Sequence, residues 1–278
     1  MSLTSLIETD KELRDEIKAA FSRPKLEKNK PLLVEPLTKN YGLVGTAFDY
    51  IFRFYLERLN SINNYSRQWI AEEAITRPMF NKEVYKEVYE VGVSIVNNVK
   101  KLKKEFIETG ELSEELIRQT LRMSHIDNFS RAGVRIENIG LDAEKGDIED
   151  IKKQFHLIDE KLFIAQDICI LNPTFGEASI LVGGADADLI IDNKLIDIKT
   201  TKKLEFKLND FCQVIGYFLL HIIDGINERK ELEINQLGIY YSRYGYLFLF
   251  NTKDLIDDSS LQKFTEWFVS RMNQKKDS

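Results

Sequence analysis

The spacing of apolar residues predicts that the chain begins with helical structure. Apolar positions recur at helical intervals over residues 5–21, and a basic connector follows them. Three prolines interrupt this connector, as is typical of extended backbone: Pro24, Pro31 and Pro36. We interpret residues 1–37 as an N-terminal helix and connector that lead into the rest of the fold.

Longer helical patterns come next. The stretch Tyr41–Leu59 is apolar on nearly every side, which is typical of a helix buried in the middle of a fold. We assign this core helix to residues 38–62. Residues 63–160 then show successive helical patterns that carry surface charge, with helices expected at 81–107 and 112–123. We interpret residues 63–160 as a helical insertion.

The pattern changes to that of a sheet in the last part of the chain, residues 161–278. Short apolar or alternating runs, separated by Asn, Pro, Gly and Asp, predict four strands at 168–171, 179–182, 187–191 and 194–200. The elements that follow are a helix, the two strands of a second hairpin and a closing helix, at 210–223, 237–242, 246–251 and 261–272. This order predicts an α/β fold, a mixed sheet flanked by helices.

Composition supports one large domain spanning residues 1–278. Of the 278 residues 43% are apolar and 11% aromatic, enough to bury a sizeable core without disulfides or metals. Cys169 and Cys212 are too few for an iron–sulfur cluster or a four-cysteine zinc site. The N-terminus has no apolar signal region and no apolar run reaches membrane-spanning length, so a cytoplasmic protein with no membrane partner is expected. The net charge of −6 means that a polyanion would have to meet local basic patches.

The most informative segment is residues 183–202, GGADADLIIDNKLIDIKTTK. Two apolar strands flank Asp192-Asn193, a dipeptide suited to a two-residue hairpin turn. If Ile191 lies opposite Lys194, the register puts three further pairs on one face of the hairpin. These pairs are Ile190 with Leu195, Asp188 with Asp197, and Asp186 with Lys199.

Acidic residues that face each other in a hairpin repel, so Asp188 and Asp197 would destabilise a purely structural one. A divalent cation between them removes this conflict, and hard oxygen ligands suit Mg²⁺ or Mn²⁺. A structural interpretation is also open, in which Asp186 pairs with Lys199, Asp188 ends a turn and Asp197 is solvated. Three acids and a lysine on a strand pair otherwise made of Leu and Ile favour the metal site.

This pattern resembles the PD-(D/E)xK nucleases, in which an Asp ends one short strand and Asp-x-Lys lies on the next. Here these residues are Asp188 and Asp197-Ile198-Lys199. Residues 213–217 (Gln-Val-Ile-Gly-Tyr) match the Gln-x-x-x-Tyr motif of the RecB-like branch. Residues 45–49 (Gly-Thr-Ala-Phe-Asp) are similar to its Gly-x-x-x-His motif, with Asp49 in place of the His. The cysteines of the iron–sulfur members are missing, so the chain resembles the cluster-free members.

The resemblance implies a restriction-endonuclease-like core that hydrolyses the phosphodiester bonds of DNA with Mg²⁺ or Mn²⁺. The catalytic residues that it implies are Asp188, Asp197, Lys199, Gln213 and Tyr217. The implied metal ligands are Asp49, Asp186, Asp188, Asp197 and the Ile198 carbonyl. An ion pair of Asp49 with Arg53, four residues along the same helix, is an equally open interpretation, and both can hold together.

Other functions and partners stay open at this point. RNA is an alternative substrate, and a catalytically inactive nuclease fold that binds nucleic acid or scaffolds a complex is the alternative function. No phosphate-binding loop of the GxxxxGK[ST] type occurs, so movement along DNA would require a helicase or another protein partner. Two basic clusters are candidate DNA contacts or, alternatively, solvated surface. They are Lys202, Lys203 and Lys207, and Arg243 with Tyr240, Tyr241 and Tyr244.

Overall fold

The computed structural model describes residues 2–60, 69–76, 85–132, 138–227, 229 and 231–276. Within these ranges the chain forms ten α-helices and one five-stranded mixed sheet. The helices are α1 (Leu3–Thr9), α2 (Lys11–Ala20), α3 (Tyr41–Leu59), α4 (Ile70–Ile75), α5 (Lys86–Thr109), α6 (Glu114–Ala132), α7 (Lys145–Phe155), α8 (Gly176–Leu181), α9 (Leu208–Asp224) and α10 (Asp258–Lys276). The strands are β1 (Cys169–Leu171), β2 (Leu189–Ile191), β3 (Lys194–Lys199), β4 (Gln236–Tyr241) and β5 (Tyr246–Asn251).

The strands lie in the sheet in their order along the chain, β1 to β5. Strands β1, β2 and β3 pair antiparallel, β3 and β4 pair parallel, and β4 and β5 pair antiparallel. Parallel neighbours need a crossover connection, which α9 provides between β3 and β4. The strand β3 therefore lies at the centre of the sheet.

Apolar side chains cover both faces of the sheet. On one face Leu195 and Ile239 pack in a core with residues of α1, α2, α9 and α10. On the other face Ile196 and Tyr240 pack against Phe52 of α3 and its neighbours. The prediction of an α/β fold with a mixed sheet flanked by helices is confirmed, and α3 coincides with the apolar stretch Tyr41–Leu59 within the segment assigned to the core helix.

The predicted register of the central hairpin is also confirmed for the residues that pair in β2 and β3. Ile191 lies opposite Lys194, Ile190 opposite Leu195, and Leu189 opposite Ile196. Asp192 occupies the turn with a φ of 51°, a backbone conformation that Asp tolerates better than most residues. The Asp192 carboxylate also accepts hydrogen bonds from the backbone N–H groups of residues 166–168, at 2.9–3.2 Å from Oδ1.

The predicted strand at 179–182 is wrong, because these residues belong to or follow α8. Ala178 and Val182, four residues apart, are both buried against the core that contains α9. An i, i+4 spacing of apolar residues is typical of a helix. The four residues 179–182 are too short a segment for their apolar pattern to distinguish a helix from a strand. The other three strands of this region occur, although β2 is shorter than predicted and begins at Leu189.

The N-terminal segment is part of the core and does not merely lead into it. The predicted helix at 5–21 is two helices, since Asp10 ends α1 and caps the N-terminus of α2. Leu3, Leu6 and Leu13 are at most 2% exposed and pack in the same core as α9. Leu3 approaches Gly216 of α9 so closely that a Cβ there would lie 2.9 Å from its methyl groups.

The helices α4–α7 form a second apolar core together with one side of α3. Of the predicted helix at 81–107, residues 81–84 lie outside the described residues, and α5 covers residues 86–107. The helix predicted at 112–123 extends further and ends at Ala132. Within the described ranges, none of the helices is long and apolar enough to cross a bilayer.

A buried ion pair joins these helices to the sheet. The Arg243 guanidinium, after β4, donates to both carboxylate oxygens of Asp150 on α7, at 2.7 and 3.0 Å. Each side chain is 1% exposed. The suggested DNA contact by Arg243 and its neighbouring tyrosines is therefore wrong: Tyr240 and Tyr241 are fully buried and Tyr244 is 8% exposed. Local sequence shows a cation beside aromatic rings, but the acid that neutralises Arg243 lies 93 residues away.

A second ion pair fastens the N-terminal helices to the C-terminal one. The Asp10 carboxylate accepts hydrogen bonds from Arg271 of α10 at 2.9 and 3.0 Å, and Lys275 lies 2.7 Å away. It also accepts a bond from the N–H of Leu13. Burial raises the pKa of Asp10, but the two cations and the N–H outweigh it and bring the pKa to about 2.

We expect Asp10→Asn to lower the free energy of unfolding at neutral pH by about 2 kcal/mol, because Asn still caps α2 but loses the ion pairs. Since the folded-state pKa of Asp10 is depressed, this contribution is present above pH ~4 and disappears as the pH falls toward 2. Denaturant unfolding across pH measures it. Asp15→Asn, an exposed acid on α2, is the control. A loss of stability that did not change with pH would contradict the assignment to the ion pairs.

Candidate active site at the end of strand β3

The site begins with the alternation of side chains along β3. Asp197 and Lys199 are two residues apart, so they point to the same face of the sheet, the one that α9 covers. The Asp197 side chain is 2% exposed, whereas that of Lys199 is 26% exposed. The Lys199 ammonium lies 2.9 Å from Asp197 Oδ2. A carboxylate is thus buried with a cation at its side.

The helix α9 supplies the next two side chains. Gln213 and Tyr217 are four residues apart and therefore lie on one face of the helix. Lys199 Nζ donates to Gln213 Oε1 at 2.8 Å, and Gln213 Nε2 donates to Tyr217 Oη at 2.9 Å. Four of the predicted catalytic residues thus form one chain of contacts: Asp197, Lys199, Gln213 and Tyr217.

Asp188 lies beside this chain, just before β2. Its Oδ2 accepts a hydrogen bond from the backbone N–H of Ile198 at 2.7 Å, next to Asp197. Burial raises the pKa of Asp188, and the nearby Asp197 charge raises it further, to about 6. The two acids therefore act on each other in the folded protein, as the hairpin register predicted.

Asp186 is placed differently from the prediction. The β2–β3 pairing ends at Leu189 and Ile196, and the backbone of Asp186 forms an antiparallel bridge with Thr174. Lys199 pairs across the sheet with Tyr241 of β4. The expected pairing of Asp186 with Lys199 across the hairpin is therefore wrong, because the ladder between β2 and β3 stops before it reaches these residues. Asp186 stays close enough to contribute to the raised pKa of Tyr217, a smaller effect than burial.

The helix α3 brings a third acid toward the site. Asp49 forms the expected ion pair with Arg53, with 2.5 Å between Asp49 Oδ2 and the guanidinium. Burial lowers the pKa of Arg53, but Asp49 and, more weakly, Asp188 outweigh this effect and raise it. The guanidinium also lies 4.6 Å from the centre of the Tyr50 ring. Arg53 thus offsets the negative charge of two acids, Asp49 on α3 and Asp188 just before β2.

Two further acids near the site were not predicted. Asp127 of α6 accepts a hydrogen bond from Tyr50 at 2.8 Å, and no local pattern could indicate this contact between residues 77 positions apart. Asp210 in the first turn of α9 contributes to the pKa shifts of both Asp197 and Lys199. Its spacing to Gln213 and Tyr217 is i, i+3 and i+7, so the helical face could have shown it.

In this site the lysine keeps its positive charge, whereas the charged form of the acids is disfavoured. Burial lowers the pKa of Lys199, but the Asp197 carboxylate outweighs it and raises the pKa above the ordinary value. Burial raises the pKa of Asp197, which Lys199 counteracts only in part. Burial also raises the pKa of Tyr217 well above its usual range, so its hydroxyl keeps its proton at neutral pH.

The donor set fits a hard divalent cation with two carboxylate ligands. Asp188 and Asp197 are acids that share one buried place and repel each other, and added positive charge would relieve that repulsion. Mg²⁺ commonly binds through one or two carboxylates and keeps several waters. In the described part of the chain, no group of three or more His, Cys, Asp or Glu side chains is arranged to hold one ion. Two carboxylates with water molecules completing the shell are a ligand set that Mg²⁺ or Mn²⁺ accepts.

Comparison of the chain with protein-family models, with curated protein sequences and with solved structures finds no match.

In metal-free buffer, we expect Asp188→Asn to stabilise the protein at pH 8 by on the order of 2 kcal/mol. The folded-state pKa of Asp188 is about 6 against 3.8 ordinarily, so its charge opposes folding above pH 6. The gain should therefore disappear as the pH falls toward 4. Denaturant unfolding with a chelator present measures it.

Asp192→Asn in the same hairpin is a control of opposite sign, because backbone hydrogen bonds lower the pKa of Asp192 against the effect of burial. We expect this variant to be less stable than the wild type at pH 8. If Asp188→Asn were destabilised as much as Asp192→Asn, the Asp188 carboxylate would stabilise the fold without metal, and the expectation would be wrong.

Proposed function

We propose that the protein is a Mg²⁺-dependent nuclease with a PD-(D/E)xK core of the RecB-like type, which hydrolyses phosphodiester bonds of DNA. The observation that carries this proposal is the contact chain from Asp197 through Lys199 and Gln213 to Tyr217, with Asp188 beside it. These contacts join residues of a hairpin and of the helix that follows it. They are the residues that the motif resemblance singles out.

Asp188 and Asp197 would hold the Mg²⁺ ion, with the Ile198 carbonyl, Asp49 and Asp186 as further candidate ligands. When bound, the ion would act as a Lewis acid that polarises the phosphate and lowers the pKa of water. Asp188 already accepts a hydrogen bond from the Ile198 N–H, which limits how far its carboxylate can turn. The protein thus orients one ligand through its own backbone.

Lys199 would act as a charged donor. Its raised pKa keeps the ammonium protonated at neutral pH, so it can orient a water molecule and offset the negative charge that develops on the phosphate. It is not suited to accept a proton. Gln213 holds the ammonium by accepting its hydrogen bond, and the Tyr217 hydroxyl fixes the orientation of the Gln213 amide.

The decisive experiment is a digestion assay with Mg²⁺ on linear, circular and single-stranded DNA and on RNA. We expect cleavage of DNA that a chelator abolishes, and we expect Asp197→Ala and Lys199→Ala each to reduce it by about 100-fold or more. Lys194→Ala is a matched control, because Lys194 lies on the same strand with the same 26% side-chain exposure. Full activity in purified Asp197→Ala would refute the proposal. Binding without cleavage in the wild type would favour the inactive, nucleic-acid-binding alternative.

Metal binding distinguishes the two acids before β2. We expect Asp188→Asn to lose most of the affinity for Mg²⁺ or Mn²⁺, because Asp188 lies beside Asp197. Asp186→Asn should lose less, because its backbone is paired with Thr174, away from β3. Calorimetric titration of both variants measures the difference. The reverse order would place the ion toward Asp186 and refute the ligand assignment.

A further inference from the structure

Two segments near the candidate site run against the acidic balance of the chain. The connector together with the residues before α3, residues 22–40, contains five basic and two acidic residues, and the loop after β3, residues 200–207, contains three basic and one acidic. All eight basic side chains are exposed. The chain as a whole has 39 basic and 45 acidic residues.

These two segments lie side by side. The Lys202 ammonium of the loop is 2.9 Å from the Glu35 carboxylate of the connector. The Arg23 guanidinium of the connector lies 5.3 Å from the centre of the Phe206 ring in the loop. Since the contacts occur near both ends of each segment, the two form one continuous surface, which we call the basic track.

The basic track borders the candidate active site. Its loop begins at Thr200, directly after Lys199, and ends at α9, where Asp210 acts on the charges of Asp197 and Lys199. The start of α3 closes the other side, because a Cβ at Gly45 would lie 3.7 Å from Thr200 Cβ. A polyanion lying along the track would therefore reach the acids at the end of β3.

The track also carries an exposed aromatic ring. Tyr41, the first residue of α3, is 55% exposed. It lies one helical turn before Gly45, which approaches Thr200 of the loop. The pKa of Lys202 is raised by its hydrogen bond with Glu35 and, less strongly, by Tyr41 and Tyr244. Proteins that bind single-stranded nucleic acid combine a basic groove along the backbone with aromatic rings on which unpaired bases stack. A duplex offers no unpaired base to such a ring.

We propose that the basic track binds a single DNA strand, with its lysines along the sugar-phosphate backbone and a base stacked on Tyr41. The track directs that strand toward Asp188 and Asp197. This inference rests on the proposed nuclease function, for which it names the form of the substrate. It also gives the connector a role beyond linking α2 to α3.

The test is equilibrium binding by fluorescence anisotropy, with Ca²⁺ in place of Mg²⁺ to suppress cleavage. The probes are a labelled oligothymidylate and a duplex of the same length. Tyr41→Ala should weaken binding of the single strand roughly tenfold and leave duplex binding within about twofold. Lys25→Ala combined with Lys28→Ala should reduce the slope of log K against log salt by about 0.7 for each lost phosphate contact.

Matched controls lie on α5. Tyr89→Ala removes another exposed tyrosine, 41% exposed, and Lys101→Ala with Lys104→Ala removes two lysines whose side chains are 78% and 80% exposed. The inference is wrong if the Tyr41 variant binds the single strand as the Tyr89 variant does. It is also wrong if Tyr41→Ala weakens duplex binding equally, or if the Lys25 and Lys28 variant keeps the salt slope of its control.

Cleavage in Mg²⁺, measured separately, distinguishes this failure from failure of the proposed function. Cleavage by the wild type together with binding that ignores the track would refute the track alone. Binding that depends on the track in a wild type that does not cleave DNA would refute the nuclease and leave the track as a single-strand binding surface.

Discussion

The buried ion pair of Asp150 and Arg243 is the constraint on which the arrangement of the molecule depends. It joins α7 of the second core to the turn after β4, and both side chains are almost completely removed from water. Asp150 also accepts bonds from Gln154 and from the backbone N–H of Leu37, so the pair holds the connector as well. Removing one partner would leave an uncompensated buried charge, at a cost of about 3–5 kcal/mol. The pair therefore ties the helical part, the sheet and the connector to one another.

The hydrogen bonds around this ion pair extend to the end of β3, where the candidate active site lies. Ser242, next to Arg243, donates to Gln154 at 2.7 Å and lies 3.0 Å from Thr200 Oγ1, just after Lys199. The end of β3 is thus fixed on both sides, by α9 through Gln213 and by this polar cluster. A rigid strand end suits the proposed chemistry, because an error of about 1 Å in placing a reacting group can cost on the order of 100-fold in rate. The basic track also starts at this point, so under the proposed function the DNA path and the strand that carries Asp197 and Lys199 are held by the same contacts.

The site places cations next to its acids, so neither positive nor negative charge dominates it. Asp188 and Asp197 repel each other, yet Lys199 and Arg53 lie close enough to offset much of that repulsion. The folded protein can therefore keep the two acids together before any metal binds. This arrangement stores a free-energy cost that binding of a cation would release, which links fold stability to metal occupancy under the proposed function.

The hairpin register followed from the sequence alone, because a two-residue turn at Asp192-Asn193 fixes which residues lie opposite each other. The α3 helix followed from its nearly continuous apolar pattern. The family resemblance singled out Gln213 and Tyr217, whereas the hydrogen bond from Lys199 to Gln213 is visible only in the structure. Sequence could not show that α8 is a helix, since six residues carry too little periodicity. It also could not show that Arg243 is buried, that α1 and α2 belong to the core, or that the connector lies against the loop after β3. Each of these depends on a partner distant in the chain, and only the tertiary structure brings the buried charge and its counter-charge together.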